Sequence, residues 1–362
     1  MSVLARLRRF WLDVHLWLGV GLLIPFVLIG VTGSLLVWHD PLERQFEPQR
    51  YVTTDGPSLP LAAQLESARA AFGDAFAPTT VRAPEEAGDP IVVQARATAR
   101  PVEGQRPETR TAWLDPATAR VLDVANTRAS AFGIMHVLHG SLMIPQNGRK
   151  IVGWIGWGMT LSALTGLWLW WPRNGAFFAG LRWNRGVRTT FNLHHQIGFW
   201  LCIPLAVLAL TGVYISFPQS SRALTGLFVQ TNAPEARGGG GGGPPPLTQT
   251  NLTIDAVASA ALAAGPVGGE LVSIALPTRA REGAPSWRVQ VKAPGADLPA
   301  TIAVDDETGE AKVRGERGGP SPGESVARLM RRIHDGADMG LFWQGVIFLG
   351  GWAPAILGYT AS

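Results

Sequence analysis

Cysteine is nearly absent from this sequence: Cys202 is the only one in 362 residues. A single thiol excludes an intramolecular disulfide, a Cys-rich zinc site and an iron–sulfur cluster held by this chain alone. Without a C-x-x-C-H motif there is no covalent c-type haem attachment either. Charge is scarce too. Asp, Glu, Lys and Arg make up 16% of the chain, and the net charge of +4 is not gathered into a basic tract with interleaved aromatics. Nucleic acid is therefore not an expected partner. There is no Ser/His/Asp arrangement, H-E-x-x-H, P-loop or Rossmann fingerprint. With no nucleotide or flavin domain, electrons cannot come from NAD(P)H through this chain alone.

What the chain has is apolar length: 46% of its residues are apolar, and 14 are Trp. Four runs are long enough to cross a bilayer and lack charge in their central regions. They are Trp11–Trp38, Lys150–Trp171, Phe191–Phe217 and Gly340–Ser362. No cleavage pattern follows the first, which reads as a retained helix. Arg6, Arg8 and Arg9 precede span 1, and Arg173, Arg182, Arg185 and Arg188 fill the short link between spans 2 and 3. Both segments read as cytoplasmic under the positive-inside rule. The two long connections then face the periplasm of a bacterial inner membrane. Each reads as a small α+β pattern. In the first, Leu61, Leu65, Ala68 and Phe72 have helical spacing, followed by strand-like Pro90–Arg96 and Arg110–Leu114. In the second, helical Thr253–Ala263 precedes strand-like Leu271–Leu276, Trp287–Val291 and Thr301–Val304. The expected division is span 1 at 1–39, a first outer domain at 40–130, an edge helix with span 2 at 131–172 and a cytoplasmic loop at 173–190. Span 3 follows at 191–217, a Gly/Pro-rich linker at 218–250, a second outer domain at 251–322, and an edge helix with span 4 at 323–362. The linker carries Gly238–Gly243 and then Pro244–Pro246, flexible and then stiff.

The chain also repeats itself. His15, Gly19, Pro25, Thr32 and Gly33 of span 1 match His194, Gly198, Pro204, Thr211 and Gly212 of span 3 at one constant offset (15 to 194, 33 to 212). His139, Gly156, Trp157 and Thr165 match His334, Gly351, Trp352 and Thr360 at another (139 to 334, 165 to 360). Thr111, Asp115 and Thr118 likewise match Thr301, Asp305 and Thr308. The expected fold is an α-helical membrane protein with four transmembrane helices in a tandem parallel repeat and two small α+β periplasmic domains. Equivalent residues of a parallel repeat sit at equal depth and face one another across a pseudo-two-fold axis.

That symmetry singles out four histidines. His15 and His194 form one level, near the cytoplasmic ends of spans 1 and 3. His139 and His334 form another, just before spans 2 and 4 on the outer side. A lone interfacial His is ordinarily a hydrogen-bonded anchor, but recurrence at both levels argues for ligands. Two levels of facing imidazoles are what two non-covalent bis-His haems need. His195, His136 and His39 lack a His counterpart. His195 and His136 stand as the alternative ligands if the register is off by one. Thr32-Gly33, Thr165-Gly166 and Thr211-Gly212 are expected to permit close helix contact or porphyrin approach. Asp115-Pro116 and Asp305-Asp306 read as surface turns.

His15-Leu-Trp-Leu-Gly19, His194-His-Gln-Ile-Gly198, Thr165-Gly-Leu-Trp-Leu-Trp-Trp-Pro-Arg173 and the outer α+β patterns together resemble the PepSY-associated transmembrane family over nearly the whole chain. The resemblance implies PepSY-like outer domains and, among family members, inner-membrane ferric-siderophore reductases with b-type haem. It thereby implies two haem b, a ferric siderophore as substrate, and electrons from quinol or a cytoplasmic donor. A second reading, from another class, is a haem-free regulator whose outer domains bind peptides or restrain periplasmic proteases. Which chelate, which donor and whether the protein forms a homodimer are not written in the sequence. Span 4 stops at Thr360-Ala-Ser362, without the Trp-Trp-Pro-Arg end of span 2.

Overall fold

The structure, a computed structural model, describes residues 3–99, 107–172, 177–183, 186, 188–230, 247, 249–278, 285–296, 298–314 and 321–361. The glycine–proline linker, Arg173 and Arg185 lie outside the described residues. Elements follow in the order α1 (Val3–Gly21), α2 (Leu23–Leu36), α3 (His39–Phe46), α4 (Leu61–Phe72), β1 (Phe76–Arg82), β2 (Ile91–Ala97), β3 (Thr109–Leu114), β4 (Val121–Ala125), α5 (Ala131–Ser141) and α6 (Gly148–Trp170). Then come α7 (Phe177–Gly180), α8 (Thr189–Ser216), α9 (Pro218–Gly226), α10 (Ile254–Ala264), β5 (Glu270–Ala275), β6 (Ser286–Lys292), β7 (Ala300–Asp305), β8 (Ala311–Arg314), α11 (Pro322–Asp335) and α12 (Gly340–Thr360). The segment expected to be linker from 218 thus begins as helix α9, with Pro218 in its first turn, where the missing N–H costs nothing. The chain forms two compact units. One comprises Met1–His39, Ala131–Ala233 and Ser321–Ser362, the other Asp40–Ser130 and Pro234–Pro320.

The first unit is a helix bundle. Helices α6, α8 and α12 are each long and apolar enough to cross a membrane, and the pair α1–α2, counted as one span, makes a fourth. Large apolar side chains face outward: Trp17 is 71% exposed, Ile24 73% and Trp154 68%. Such a surface suits a bilayer and not water, and the chain is a multi-pass membrane protein.

Span 1, expected as one helix, is two, α1 and α2. It bends by 65° at Leu22. Pro25 lacks an N–H, and its ring crowds the carbonyl of Gly21, four residues back. Proline alone does not break a helix here, because Pro204 and Pro354 sit inside unbroken α8 and α12. The difference is support. Gly350 and Gly351, before Pro354, pack against Leu208 and α2, whereas Gly19 and Gly21 have open space beside them.

The histidine-bearing helices α5 and α11 are short and sharply ended. Helix α11 opens with a Ser321/Glu324 capping box and closes at left-handed Gly336. After α5 the chain reverses through Leu142 (φ 50°), Met143 (φ 57°) and Gln146 (φ 60°), and Asp338 (φ 57°) follows α11. Left-handed backbone costs an L-residue about 1–2 kcal/mol, so the surrounding packing must over-determine these turns.

The second unit corrects the expectation of two separate outer domains. Its strands form one eight-stranded sheet, ordered β4-β3-β2-β1-β5-β6-β7-β8. Each half is an antiparallel meander, and the halves meet where β1 pairs with β5 at Thr80↔Ala275, Val81↔Ile274 and Arg82↔Ser273. One core serves both halves. Leu65, Ala68 and Phe72 of α4 and Val257 and Ala261 of α10 pack in a single cluster with Val81, Val93, Ile274, Trp287, Val289 and Ile302. Strand β6 shows why: Trp287, Val289 and Val291 are buried, and Arg288 and Gln290 between them are exposed. Strands β1, β4 and β8 escaped the pattern reading. β1 carries Pro78 beside a bulge, and β4 and β8 are short sheet edges.

The two halves are also tied by a cap. Helix α10 has its own cap, Thr253, but α4 starts after Pro60, which offers none. Asp255 of α10 supplies it, accepting from the backbone N–H of Leu61 (2.7 Å) and Ala62 (3.1 Å). Asp255→Ala should cost about 1 kcal/mol. Amide hydrogen exchange should accelerate in the first turn of α4 and leave β6 protected; unchanged exchange at Leu61 and Ala62 would show that the cap contributes nothing.

Of the aspartates expected in surface turns, Asp115 and Asp306 are buried struts, whereas Asp305 is part-exposed in a turn. Asp115 is 0% exposed and accepts from Thr54 N and Oγ1, Ala117 N and Thr118 Oγ1. Burial alone would raise its carboxyl, but the Thr54 and Thr118 hydroxyls and two amides hold it at about 2. In the second copy the task is divided. Asp305 makes the turn bonds to Glu307 N and to Thr308, while buried Asp306 accepts from Asn251 N, Leu252 N and Trp287 Nε1.

Candidate functional site

Four helices of the membrane unit each bring one histidine to face another. His15 of α1 and His194 of α8 have ring centres 6.3 Å apart with planes at 88°. His139 of α5 and His334 of α11 have centres 5.8 Å apart with planes at 48°. All four rings are half-buried.

The same local device orients every ring. His15 Nδ1 lies 3.0 Å from the Ser162 carbonyl and 3.2 Å from Thr165 Oγ1. His194 Nδ1 lies 3.1 Å from the Leu357 carbonyl and 3.3 Å from Thr360 Oγ1. His139 Nδ1 lies 2.9 Å from the Ile29 carbonyl and 3.4 Å from Thr32 Oγ1. His334 Nδ1 lies 3.1 Å from both the Leu208 carbonyl and Thr211 Oγ1. A carbonyl can only accept, so Nδ1 is the protonated nitrogen in each ring. Among the described residues, Nε2 of these four rings makes no hydrogen bond to protein. It is left as a lone-pair donor, the state a metal-binding imidazole requires.

Glycine makes room for these rings. A Cβ on Gly33 would stand 2.7 Å from His139 Cε1, one on Gly166 3.1 Å from His15 Cε1, and one on Gly212 3.0 Å from His334 Cε1. The Thr-Gly pairs expected to admit close helix or porphyrin approach thus cradle the histidines themselves. The threonine–histidine partnership was missed in the sequence, although the threonines recur in it at the repeat offsets. Long-range pairing across helices leaves no local signature.

The alternative histidines are placed otherwise. His195 is stacked on Phe191 at 5.2 Å and lies 6.3 Å from Trp170. His39 packs edge-on against Phe132 at 4.9 Å. His136 is exposed.

Facing neutral imidazoles suit a metal that brings its other ligands with it. With metal–imidazole distances of about 2 Å and a ring centre about 1.1 Å behind its nitrogen, two imidazoles sharing one metal would have ring centres no more than roughly 6.3 Å apart. The observed 6.3 and 5.8 Å fit that arrangement. Among the described residues no group of three or more His, Cys, Asp or Glu gathers to hold a bare ion. The facing pairs fit a haem, which His15 with His194 and His139 with His334 would hold and which would supply a one-electron iron couple.

A search of curated proteins returned no match. The family profile described as PepSY-associated TM region matches residues 12–362, which takes in all four paired histidines and both halves of the sheet. By that match the chain belongs to the PepSY-associated transmembrane family.

Proposed function

We propose that this protein is a di-haem electron carrier of the bacterial inner membrane that reduces the iron of a ferric siderophore to Fe(II) on the periplasmic side. The observation that carries this reading is the pair of facing histidine levels, each ring with Nδ1 engaged and Nε2 left open. His15 and His194 would hold one haem b, His139 and His334 the other. Bound haem supplies a one-electron Fe(III)/Fe(II) couple at each level.

The chain's own part is to place those levels at two depths. His194 and Leu208, whose carbonyl orients His334, both lie on α8. The 14 residue steps from one to the other correspond to about 21 Å of helix. Arg8 donates to the Leu169 carbonyl at 2.8 Å, which draws the basic N-terminus to the end of α6. Arg182 and Arg188 follow that same end in the chain. This clustering supports a cytoplasmic N-terminus, with the His15/His194 level taking electrons from quinol or a cytoplasmic donor. The opposite level would pass them outward, and the periplasmic sheet unit would seat the chelate. Reduction of the substrate iron consumes one electron and needs neither nucleophile nor general acid, in keeping with the missing hydrolytic motifs.

The direct test is the visible spectrum of the detergent-purified full chain, expressed with adequate haem supply. The expected result is a Soret band, dithionite-reduced α bands and two haems per chain. Adding a ferric siderophore to the reduced protein should restore the oxidised spectrum. A chain without a Soret band would sink the electron-carrier reading and leave the haem-free peptide-binding regulator.

A further inference from the structure

We propose that Thr32, Thr165, Thr211 and Thr360 are positioning residues that set the tautomer and the donor strength of the four histidines. The inference rests on the haem reading for its redox consequence, but its geometry stands on the protein alone. Each threonine hydroxyl donates to the carbonyl four residues back: Leu28 at 2.6 Å, Leu161 at 2.8 Å, Val207 at 2.9 Å and Ile356 at 2.9 Å. The same hydroxyls also reach the carbonyls three residues back, Ile29 at 3.1 Å, Ser162 at 3.0 Å, Leu208 at 3.0 Å and Leu357 at 3.2 Å, and with the proton directed at these two carbonyls the hydroxyl oxygen accepts from the histidine. The carbonyl beside it, always three residues before the threonine (Ile29, Ser162, Leu208, Leu357), can also only accept. Nδ1 therefore meets two acceptors, and the proton cannot move to Nε2 without leaving two oxygens facing a bare nitrogen lone pair.

Two acceptors on one N–H draw the imidazole toward imidazolate character and make Nε2 a stronger donor. Ferric iron, with the higher charge, gains more from a stronger donor than ferrous iron does. The threonines consequently bias each level toward the ferric state and lower its reduction potential, which favours passing an electron onward. The device occurs four times with the same spacing, so both levels are tuned in the same direction. One departure is visible. Gly33, Gly166 and Gly212 follow three of the threonines, and Ala361 follows Thr360.

The test compares Thr165→Val and Thr211→Val, one at each level, with Thr165→Ser and Thr211→Ser in the full-length purified protein. Valine keeps the volume and removes the hydroxyl; serine keeps the hydroxyl. Spectroelectrochemical titration should show about a tenfold loss of ferric preference at the substituted level only, an upward shift of about 59 mV for one electron. Serine should return the potential to its original value. Haem lost from the valine variant and kept by the serine variant also supports the assignment, through affinity. A retained haem with an unchanged potential overturns it, as do equal shifts in valine and serine variants. If the unaltered protein carries no haem, the haem reading fails by itself. 15N-histidine NMR of that same full chain then decides the tautomer: Nδ1–H at these four residues supports the assignment, and Nε2–H overturns it.

Discussion

Replacing His194 by alanine should halve the haem content, from two equivalents per chain to one, and leave the His139/His334 level with its bis-histidine spectrum. His194 faces His15 across 6.3 Å, so on the proposed di-haem reading its loss would remove one ligand from that level alone. The His139 and His334 partners on α2 and α8 (Ile29, Thr32, Leu208 and Thr211) are untouched. His334→Ala should give the complementary result. Pyridine haemochrome quantification with reduced-minus-oxidised spectra reads both. The control is His195→Ala. One residue along α8 rotates a side chain by about 100°, and His195 accordingly lies against Phe191 and Trp170. Both haems should survive its loss. Should His194→Ala keep both haems and His195→Ala lose one, the ligand assignment on α8 is wrong by one position.

The largest effect in the sheet unit should come from Trp287→Ala. Trp287 is 1% exposed in the shared core, and its Nε1 donates to buried Asp306 Oδ1 at 2.7 Å. Removing the indole leaves a cavity that costs about 3–5 kcal/mol. For a unit of this size that corresponds to roughly 6–20 °C of melting temperature. Asp306 also loses one of its three donors, retaining the Asn251 and Leu252 amides. Trp287→Phe should fall between, since most of the ring volume remains while the Asp306 bond is lost. Thermal unfolding of the purified full chain, followed by circular dichroism, measures both. An alanine variant that melts with the parent would show that the core repacks around the void.

The membrane class was legible because a bilayer imposes length and apolarity on any segment that crosses it, whatever packs beside that segment. Helices α6, α8 and α12 accordingly run within a few residues of the apolar runs that announced them. The histidine pairs were legible through the duplication, which made His15 and His194, and likewise His139 and His334, equivalent before any coordinate was known. The bend in span 1 was not legible. Its Pro25 reads the same as Pro204 and Pro354, yet Gly350 and Gly351 before Pro354 are packed while Gly19 and Gly21 before Pro25 are not. Nor was the single sheet. β1 is interrupted by Pro78 and a bulge, and its pairing with β5 joins residues nearly two hundred positions apart. Local alternation carries no record of which distant edge a strand meets.

By itself, then, the sequence determined a multi-pass membrane protein made of a duplicated unit and put histidines at matching places in the two copies. Periodicity, apolar length and internal repetition are written residue by residue. Tertiary structure alone decided that the two halves of the sheet unit share one core, that buried Asp115 and Asp306 strut their loops, and that each paired histidine meets a threonine and a carbonyl on another helix. The histidine contacts join positions more than a hundred residues apart, and the struts reach across as many as 61. Their energies depend on distance in space, which one-dimensional pattern does not encode.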